Sequence, residues 1–228
     1  MERDADATNM TQKIILLGTG GNSVDILDTL NDINAARGER VYECAGFLDD
    51  DATQWGREIF GARVLGALDA ASQYADCFFV NGIAGVHSFW KKRDILARTQ
   101  MPRERFATIV HPTASVSRSA RIGNGVVIFQ HVTITTNVTI GDHVMILPNT
   151  VISHDDVIGE YTSIAGGVAL SGNVRVGESC YIGSHASIKE GVTIGNGALI
   201  GLGSVVLRDV AENCVVVGNP ARVLRNVK

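Results

Sequence analysis

Every sixth residue from Val110 to Val206 is aliphatic. The seventeen positions carry only Val, Ile or Leu, with no slip of register. A period of six fits neither the 3.6-residue helix nor the two-residue alternation of a strand. It fits a coil in which one short strand and one turn recur. The position four residues after each aliphatic one holds Ala, Val, Thr, Ser or Cys, with Asp156 as the exception. Small residues there suit a narrow interior. Glycine directly follows the aliphatic residue at Gly123, Gly141, Gly159, Gly177, Gly183, Gly195 and Gly201. That position is read as leading into the turn, where a small flexible residue lets the chain change direction. Three hexads close one triangular coil of eighteen residues, so the run holds a little over five coils.

Upstream the pattern changes. Residues 13–17 form a short apolar run, followed by Gly18-Thr19-Gly20-Gly21 and a helix-like stretch over 23–37. Residues 41–48 read as a second strand ending in Asp49-Asp50-Asp51, and 77–80 as a buried strand followed by Asn81-Gly82. Residues 87–98 read as a helix, and 106–110 as the strand entering the repeat. Alternating strand and helix argues a small Rossmann-like α/β unit. The expected organisation is therefore a polar, disordered tail over 1–11, an α/β unit over 12–108, and the repeat with a C-terminal extension over 109–228. The glycines at 18, 20 and 21 put backbone amides where a phosphate can approach a helix N-terminus. Ser23 stands where a dinucleotide fingerprint has its third glycine, which argues against a dinucleotide. Asp49 or Asp50, at a strand end, suits hydrogen bonds to hydroxyls or a base, or is a solvated acidic turn.

Composition narrows the field. Net charge is −4, with no basic cluster, so nothing points to nucleic acid. No apolar run approaches twenty residues, so no membrane span is expected. The first eleven residues lack the apolar core of a signal peptide. Cys44, Cys77, Cys180 and Cys214 show no CxxC spacing and read as reduced thiols of a cytoplasmic protein. The six histidines offer no set converging on a metal; successive gaps from His111 are 20, 12, 11 and 31, and no metal site is expected.

Both halves together resemble the nucleotide-sugar N-acetyltransferases of bacillosamine-type pathways and the related sialic acid O-acetyltransferases. The resemblance covers nearly the whole chain. It rests on KIILLGTGG at 13–21, GFLDD at 46–50, IVHP at 109–112, SHDDVIGE at 153–160, SGNV at 171–174 and VGNPAR at 217–222. It implies that the repeat is a left-handed parallel β-helix, against the usual right-handed crossover, and that the protein is a homotrimer. It implies that acetyl-CoA lies along the prism between subunits and that the front unit holds a nucleotide-linked amino sugar. Sugar contacts then fall to Gly18, Gly20, Gly21, Asn22, Asp49, Asp50 and Gly82, with Asn22 standing where the family often has His. CoA contacts fall to Gly172, Ser184 and Leu202, and Arg222 with Arg225 lies near enough to the C-terminus to meet CoA phosphates. His154 matches the family's general base, and Asp155 the carboxylate that follows it.

The residues support that chemistry on their own terms. His154 lies two places after Ile152, in a turn, and should project from an edge of the prism. Gly172 is eighteen residues on, one coil further along the same edge, where its N–H can stabilise a thioester oxygen as it gains charge. An imidazole with a pKa of about 6.5 is largely neutral at pH 7 and can take the proton of an attacking amine or hydroxyl. Asp155 would orient the ring, transfer would be direct, and Cys180, in the inward column, reads as an inert core thiol. Asp156 falls in the same inward column. It either turns outward with the corner or is buried with partners and a raised pKa. The expected reaction is N-acetylation of a nucleotide-linked sugar, for example a 4-amino-4,6-dideoxy sugar, for surface glycans. The alternative is sialic-acid-type O-acetylation.

Overall fold

A computed structural model describes residues 11–227. Most of the tail expected over 1–11, residues 1–10, lies outside the described residues. The front unit is a five-stranded sheet built from β1 (Gln12–Leu17), β2 (Tyr42–Leu48), the short hairpin β3 (Glu58–Ile59) and β4 (Ala62–Gly66), and β5 (Phe78–Asn81). Its order is β3-β4-β2-β1-β5. β1 pairs parallel with β2 and β5, and β2 parallel with β4. The strand order therefore reverses between β1 and β5, which opens a crevice at their carboxyl ends.

Helix α1 (Gly21–Arg37) starts two residues before the sequence suggested, so Gly21 and Asn22 belong to its first turn. It ends at Gly38, whose φ of 69° and N–H to the Ala35 carbonyl close the last turn. The helix expected over 87–98 is reduced to a 3-10 turn, Phe89–Lys91, and a short helix α2 (Lys92–Ala97). The reason is packing. A three-residue turn places i and i+3 on one face, and Phe89 and Lys92 both insert against the prism, at 0% and 1% exposure. Phe89 meets the Tyr181 ring at 5.8 Å and the Lys92 Nζ lies 3.3 Å from Ser163 Oγ.

The repeat is a left-handed parallel β-helix. Seventeen two-residue strands, from β6 (Ile109–Val110) to β22 (Val205–Val206), stack in three sheets. Every pairing within this run joins a residue to the one eighteen further on, as Ile134, Ile152 and Leu170 show. The aliphatic column points inward and is sealed in mid-prism, where those three residues are 2%, 0% and 1% exposed. A closing hairpin, β23 (Cys214–Val217) and β24 (Arg222–Asn226), extends one of the sheets.

The second inward column is selected for size rather than apolarity. Thr150, Asp156, Thr162 and Ser204 are buried there beside Val168 and Val174. The glycines after the aliphatic column need another explanation than the one the sequence suggested. None of the seven has a positive φ. A Cβ at Gly141 would sit 2.8 Å from Glu160 N, and one at Gly183 2.6 Å from Leu202 N. These glycines permit close contact between coils. The left-handed backbone sits two residues later, at His131, Asn137, Asp155, Asn173 and Gly191 among others.

The two halves share a core. Ile14, Leu16, Ile26 and Leu30 of the front unit cluster with Ile109, Val127, Phe129 and Met145 of the first coils. His111 adds a polar tie, its Nε2 lying 2.9 Å from Asp32 Oδ2 on α1.

Candidate active site

One corner of the prism brings together His154, Asp155 and Gly172, the residues expected to carry the chemistry. The turn after Ile152 presents Ser153, His154 and Asp155; the turn one coil on presents Ser171, Gly172 and Asn173. The His154 side chain is 54% exposed, as its place in the turn required. Asp155 adopts φ 63°, as Asn137 and Asn173 do directly before and after it in the stack. Short polar side chains tolerate that conformation. Adjacent turns are stitched by backbone bonds, Asp155 N to Thr136 O at 3.0 Å and Asn173 N to His154 O at 2.9 Å.

The Asp155 carboxylate is held from two sides. His154 Nδ1 lies 2.9 Å from Oδ2, and the Asn137 amide donates to Oδ1 at 3.3 Å. The bond to Asp155 raises the His154 pKa above its ordinary value, and His154 with Asn137 holds Asp155 below its own. With Nδ1–H donated to the carboxylate, Nε2 is left as the accepting nitrogen. Glu190, two coils on at the same corner, adds its charge to the rise at His154. The imidazole lies over Gly172: a Cβ there would come within 2.5 Å of Nε2 and 3.0 Å of Nδ1. The Gly172 N–H has no acceptor among the described residues. Asn137 and Glu190 were missed from sequence, although stepping eighteen from Asp155 or thirty-six from His154 finds them.

Asp156 turns inward. It is wholly buried, accepts from Val174 N at 2.8 Å and Ser153 N at 3.0 Å, and burial pushes its pKa up to about 7.

In the front unit, Gly18, Gly20, Gly21, Asn22, Asp49 and Gly82 line one cleft of about 470 Å³ at the switch point, together with Thr19 and residues 83–85. Gly18 has φ 88°, and a Cβ on it would strike Ile83 at 2.7 Å. The first turn of α1 carries no side-chain cap and no acidic residue, and while Ser23 N donates to Gly20 O, the Gly21 and Asn22 N–H groups are open to an anion. Ser23 does not break the close approach of helix and strand that a third glycine would give. It is fully buried, and Gly82 supplies the space: a Cβ at 82 would sit 2.9 Å from Ser23 Cα.

The two aspartates at the end of β2 need separate accounts. Asp49 borders the cleft, but its Oδ2 accepts from Thr19 N at 2.8 Å and Thr19 Oγ1 at 2.7 Å, and Oδ1 accepts from Asp51 N at 2.9 Å. It shapes the glycine loop. Asp50, expected as a substrate contact, is not part of the cleft. It pairs with Arg98 and accepts from Leu68 N at 3.2 Å, which ties β2 to the loops behind it. The sequence could not tell which of two adjacent carboxylates those partners take.

Ser184 and Leu202 stack on another edge, with Gly203 N donating to Ser184 O at 2.8 Å, and Leu202 is 82% exposed. Arg222 and Arg225 lie exposed on β24, their guanidinium groups donating to nearby backbone carbonyls. Cys180 is buried in the column and its thiol is pushed up to about 11. No group of three metal-ligating side chains occurs among the described residues. His131 and His185 do share a corner, but three coils apart, about 14 Å at the usual strand spacing. No helix among the described residues is long and apolar enough to cross a membrane.

Residues 119–154 and 173–208 match the family described as bacterial transferase hexapeptide (six repeats). No curated protein matches the chain in sequence. Among solved structures, the acetyltransferase domain of PglB from Neisseria gonorrhoeae, in complex with acetyl coenzyme A, is 25% identical. Its TM-score is 0.78, over 94% of this chain and 100% of that one. PerB from Caulobacter crescentus, in complex with CoA and GDP-perosamine, is 27% identical with a TM-score of 0.77, over 93% and 97% of the two chains. WeeI from Acinetobacter baumannii is 27% identical with a TM-score of 0.78, over 94% and 100%. Hexad repeat, front unit and end-to-end structural correspondence make the chain an acyltransferase with hexapeptide repeats that is similar over nearly its whole length to solved sugar N-acetyltransferases.

Proposed function

We propose that this chain moves an acetyl group from acetyl-CoA to the amino group of a nucleotide-linked amino sugar, such as a 4-amino-4,6-dideoxy sugar destined for a surface glycan. One observation carries the reading. His154 is pinned through Nδ1 to Asp155, which leaves Nε2 as a base on an exposed ridge, stacked on a glycine one coil away. The amine attacks the thioester carbon, its proton passes to Nε2, and the new N–C bond replaces the C–S bond as the CoA thiolate leaves. Asp155 stabilises the imidazolium. The Gly172 N–H meets the developing oxyanion. No acyl-enzyme forms.

Residues 12–108 act as the sugar-nucleotide unit, with the diphosphate at the uncapped start of α1 and Asn22 beside the sugar. Residues 109–228 act as the acyltransferase unit, with CoA along Gly172, Ser184, Leu202 and Arg222. The prism trimerises and so closes the CoA groove between protomers, in the cytoplasm, where acetyl-CoA is available. The solved relatives' ligands and the open switch-point cleft support this assignment.

The test is CoA release from acetyl-CoA with a panel of nucleotide 4-amino sugars. The expected result is turnover with one or more of them, lowered about 10²–10⁴-fold in His154→Ala. Turnover with free sialic acid instead of the amino sugars, or a His154→Ala enzyme at full rate, would refute the reading.

A further inference from the structure

Four members of the column that contains Asp156 share a hydrogen-bonding pattern. Thr108, Thr150, Thr162 and Cys180 each donate to the backbone carbonyl fifteen residues on. The acceptors are Gly123 at 2.8 Å, Ala165 at 3.1 Å, Gly177 at 2.8 Å and Gly195 at 3.2 Å. Thr108 and Thr162 also accept from the N–H eighteen residues on. Asp156 shares the second half of the pattern, accepting from Val174 N at 2.8 Å. Carried over to Asp156, the first half of the pattern points to the carbonyl of Ser171 as the acceptor. That carbonyl and the Gly172 N–H belong to one rigid, planar peptide unit and point in opposite directions. Only the neutral carboxylic acid has a hydrogen to give.

We propose that Asp156 is a positioning residue of the acetyl transfer: as the neutral acid it donates to the Ser171 carbonyl, and this aims the Gly172 N–H outward at the thioester oxygen. The inference rests on the roles given above to His154 and Gly172. Asp156 is wholly buried and receives two backbone N–H groups but no cation. Its burial raises the carboxyl to about 7, so the acid form persists to neutral pH. The charged groups that act on it are His154 and Asp155 of its own turn. The coils before and after present Val138 and Val174 at its level in the column, both fully buried. When the carboxyl ionises, the donor is lost and a negative charge faces a carbonyl oxygen, so the peptide loses its aim.

The experiment compares kcat, KM for acetyl-CoA and the pH profile of the full-length enzyme with Asp156→Val and Asp156→Thr. Threonine is the column's own donor, at 150 and 162, and does not titrate. The expected result is a kcat about 10-fold or more lower in Asp156→Val with KM within twofold, since losing an oxyanion donor outright costs about 10²–10³-fold. Asp156→Thr should recover kcat to within about threefold of the wild type and abolish the wild-type decline in kcat above pH about 7. Asp156→Val at wild-type kcat, or Asp156→Thr as impaired as Asp156→Val with melting temperature unchanged, overturns the inference. So does an alkaline limb that survives in Asp156→Thr, which is readable even where Val is poorly tolerated. His154→Ala separates the two levels. If it is inactive while Asp156→Val is normal, only this inference falls; if it is fully active, the reading beneath it falls.

Discussion

Replacing Gly172 with Ala tests the corner with a single methyl group. The backbone of Gly172 is not left-handed, so alanine is tolerated locally. The obstacle is the imidazole, because the new Cβ would lie 2.5 Å from His154 Nε2 and 3.0 Å from Nδ1. Carbon and nitrogen settle at about 3.5–4 Å, so the ring has to move by about 1 Å. His154 is a flexible, half-exposed side chain, and the movement is cheap for the fold. The change in stability should stay within about 0.5 kcal/mol. The reaction is less forgiving. A displacement of about 1 Å at a reacting group costs roughly 10²-fold, and the 2.9 Å bond to Asp155 would be lost with it. Steady-state CoA release should therefore show kcat down about 10²-fold while thermal melting is unchanged. The His154 pKa, followed by NMR, should fall back toward 6.5. Gly183→Ala provides the contrast. Its Cβ would meet backbone atoms, Leu202 N at 2.6 Å and Ile200 O at 2.7 Å, which cannot swing aside, so it should lose about 1–3 kcal/mol of stability. A Gly172→Ala enzyme with kcat within threefold of the wild type would refute the stacking argument.

Three further outcomes are expected. Asp155→Asn removes the charge and leaves His154 Nδ1 only a neutral amide acceptor, so the causes that raise the His154 pKa weaken. The acid limb of the kcat/KM profile should then shift to lower pH and its plateau drop, because the neutral base forms earlier but is weaker. Gly82→Ala forces a methyl group against Ser23 and should cost about 1–3 kcal/mol; Ser23→Gly should return part of it in a double-mutant cycle read by denaturant unfolding. Lys92 is buried at 1% exposure and its pKa is driven down to about 7 from the usual 10.5. Between those values the unfolded chain binds the proton and the folded one does not, so stability rises with pH over that window and is lost as pH falls through about 7. Lys92→Met should flatten that rise. Its gain near pH 7 is bounded at about 5 kcal/mol by the shift, less what the Ser163 contact contributes.

The coil was legible because its period is enforced at every turn. A single insertion would put an aliphatic residue outside the prism and a polar one inside, so seventeen positions in unbroken register leave one solution. The stacking of residue 154 on residue 172 then needs only addition. What addition cannot supply is direction within the turn. The glycines after the aliphatic column looked like pivots from composition, yet they are points where backbones of adjacent coils nearly touch, and the pivots lie two residues later, where Asn, Asp and His serve as well as Gly. Asp156 was ambiguous because column position predicts burial while side-chain type predicts exposure. Position won, since two N–H groups wait for it inside. In the front unit the glycine loop was readable as a motif. The separate fates of Asp49 and Asp50 depend on Thr19, Leu68 and Arg98, which lie far away in sequence. The shortened helix near 90 was hidden for the same reason: its cause is Ser163 and Tyr181, some seventy to ninety residues downstream.

The prism makes chemistry from repetition by allowing each corner to vary while the columns beneath it stay fixed. At the corner of residues 137, 155 and 173 the third turn position is Asn, Asp, Asn, all left-handed, so an amide from one coil reaches the carboxylate of the next. One place earlier the corner runs from His154 to Gly172 to Glu190, a base, an open amide and a second carboxylate at steps of eighteen. Their separation is set by backbone hydrogen bonds of 2.9–3.1 Å between coils, not by side-chain packing. A corner built this way holds its backbone to the precision of a sheet even though each residue sits on a turn, while the half-exposed His154 ring is held only by its bond to Asp155. The same rigidity means that substitutions on this ridge should show in kcat before they show in stability, whereas substitutions one column inward should show in both.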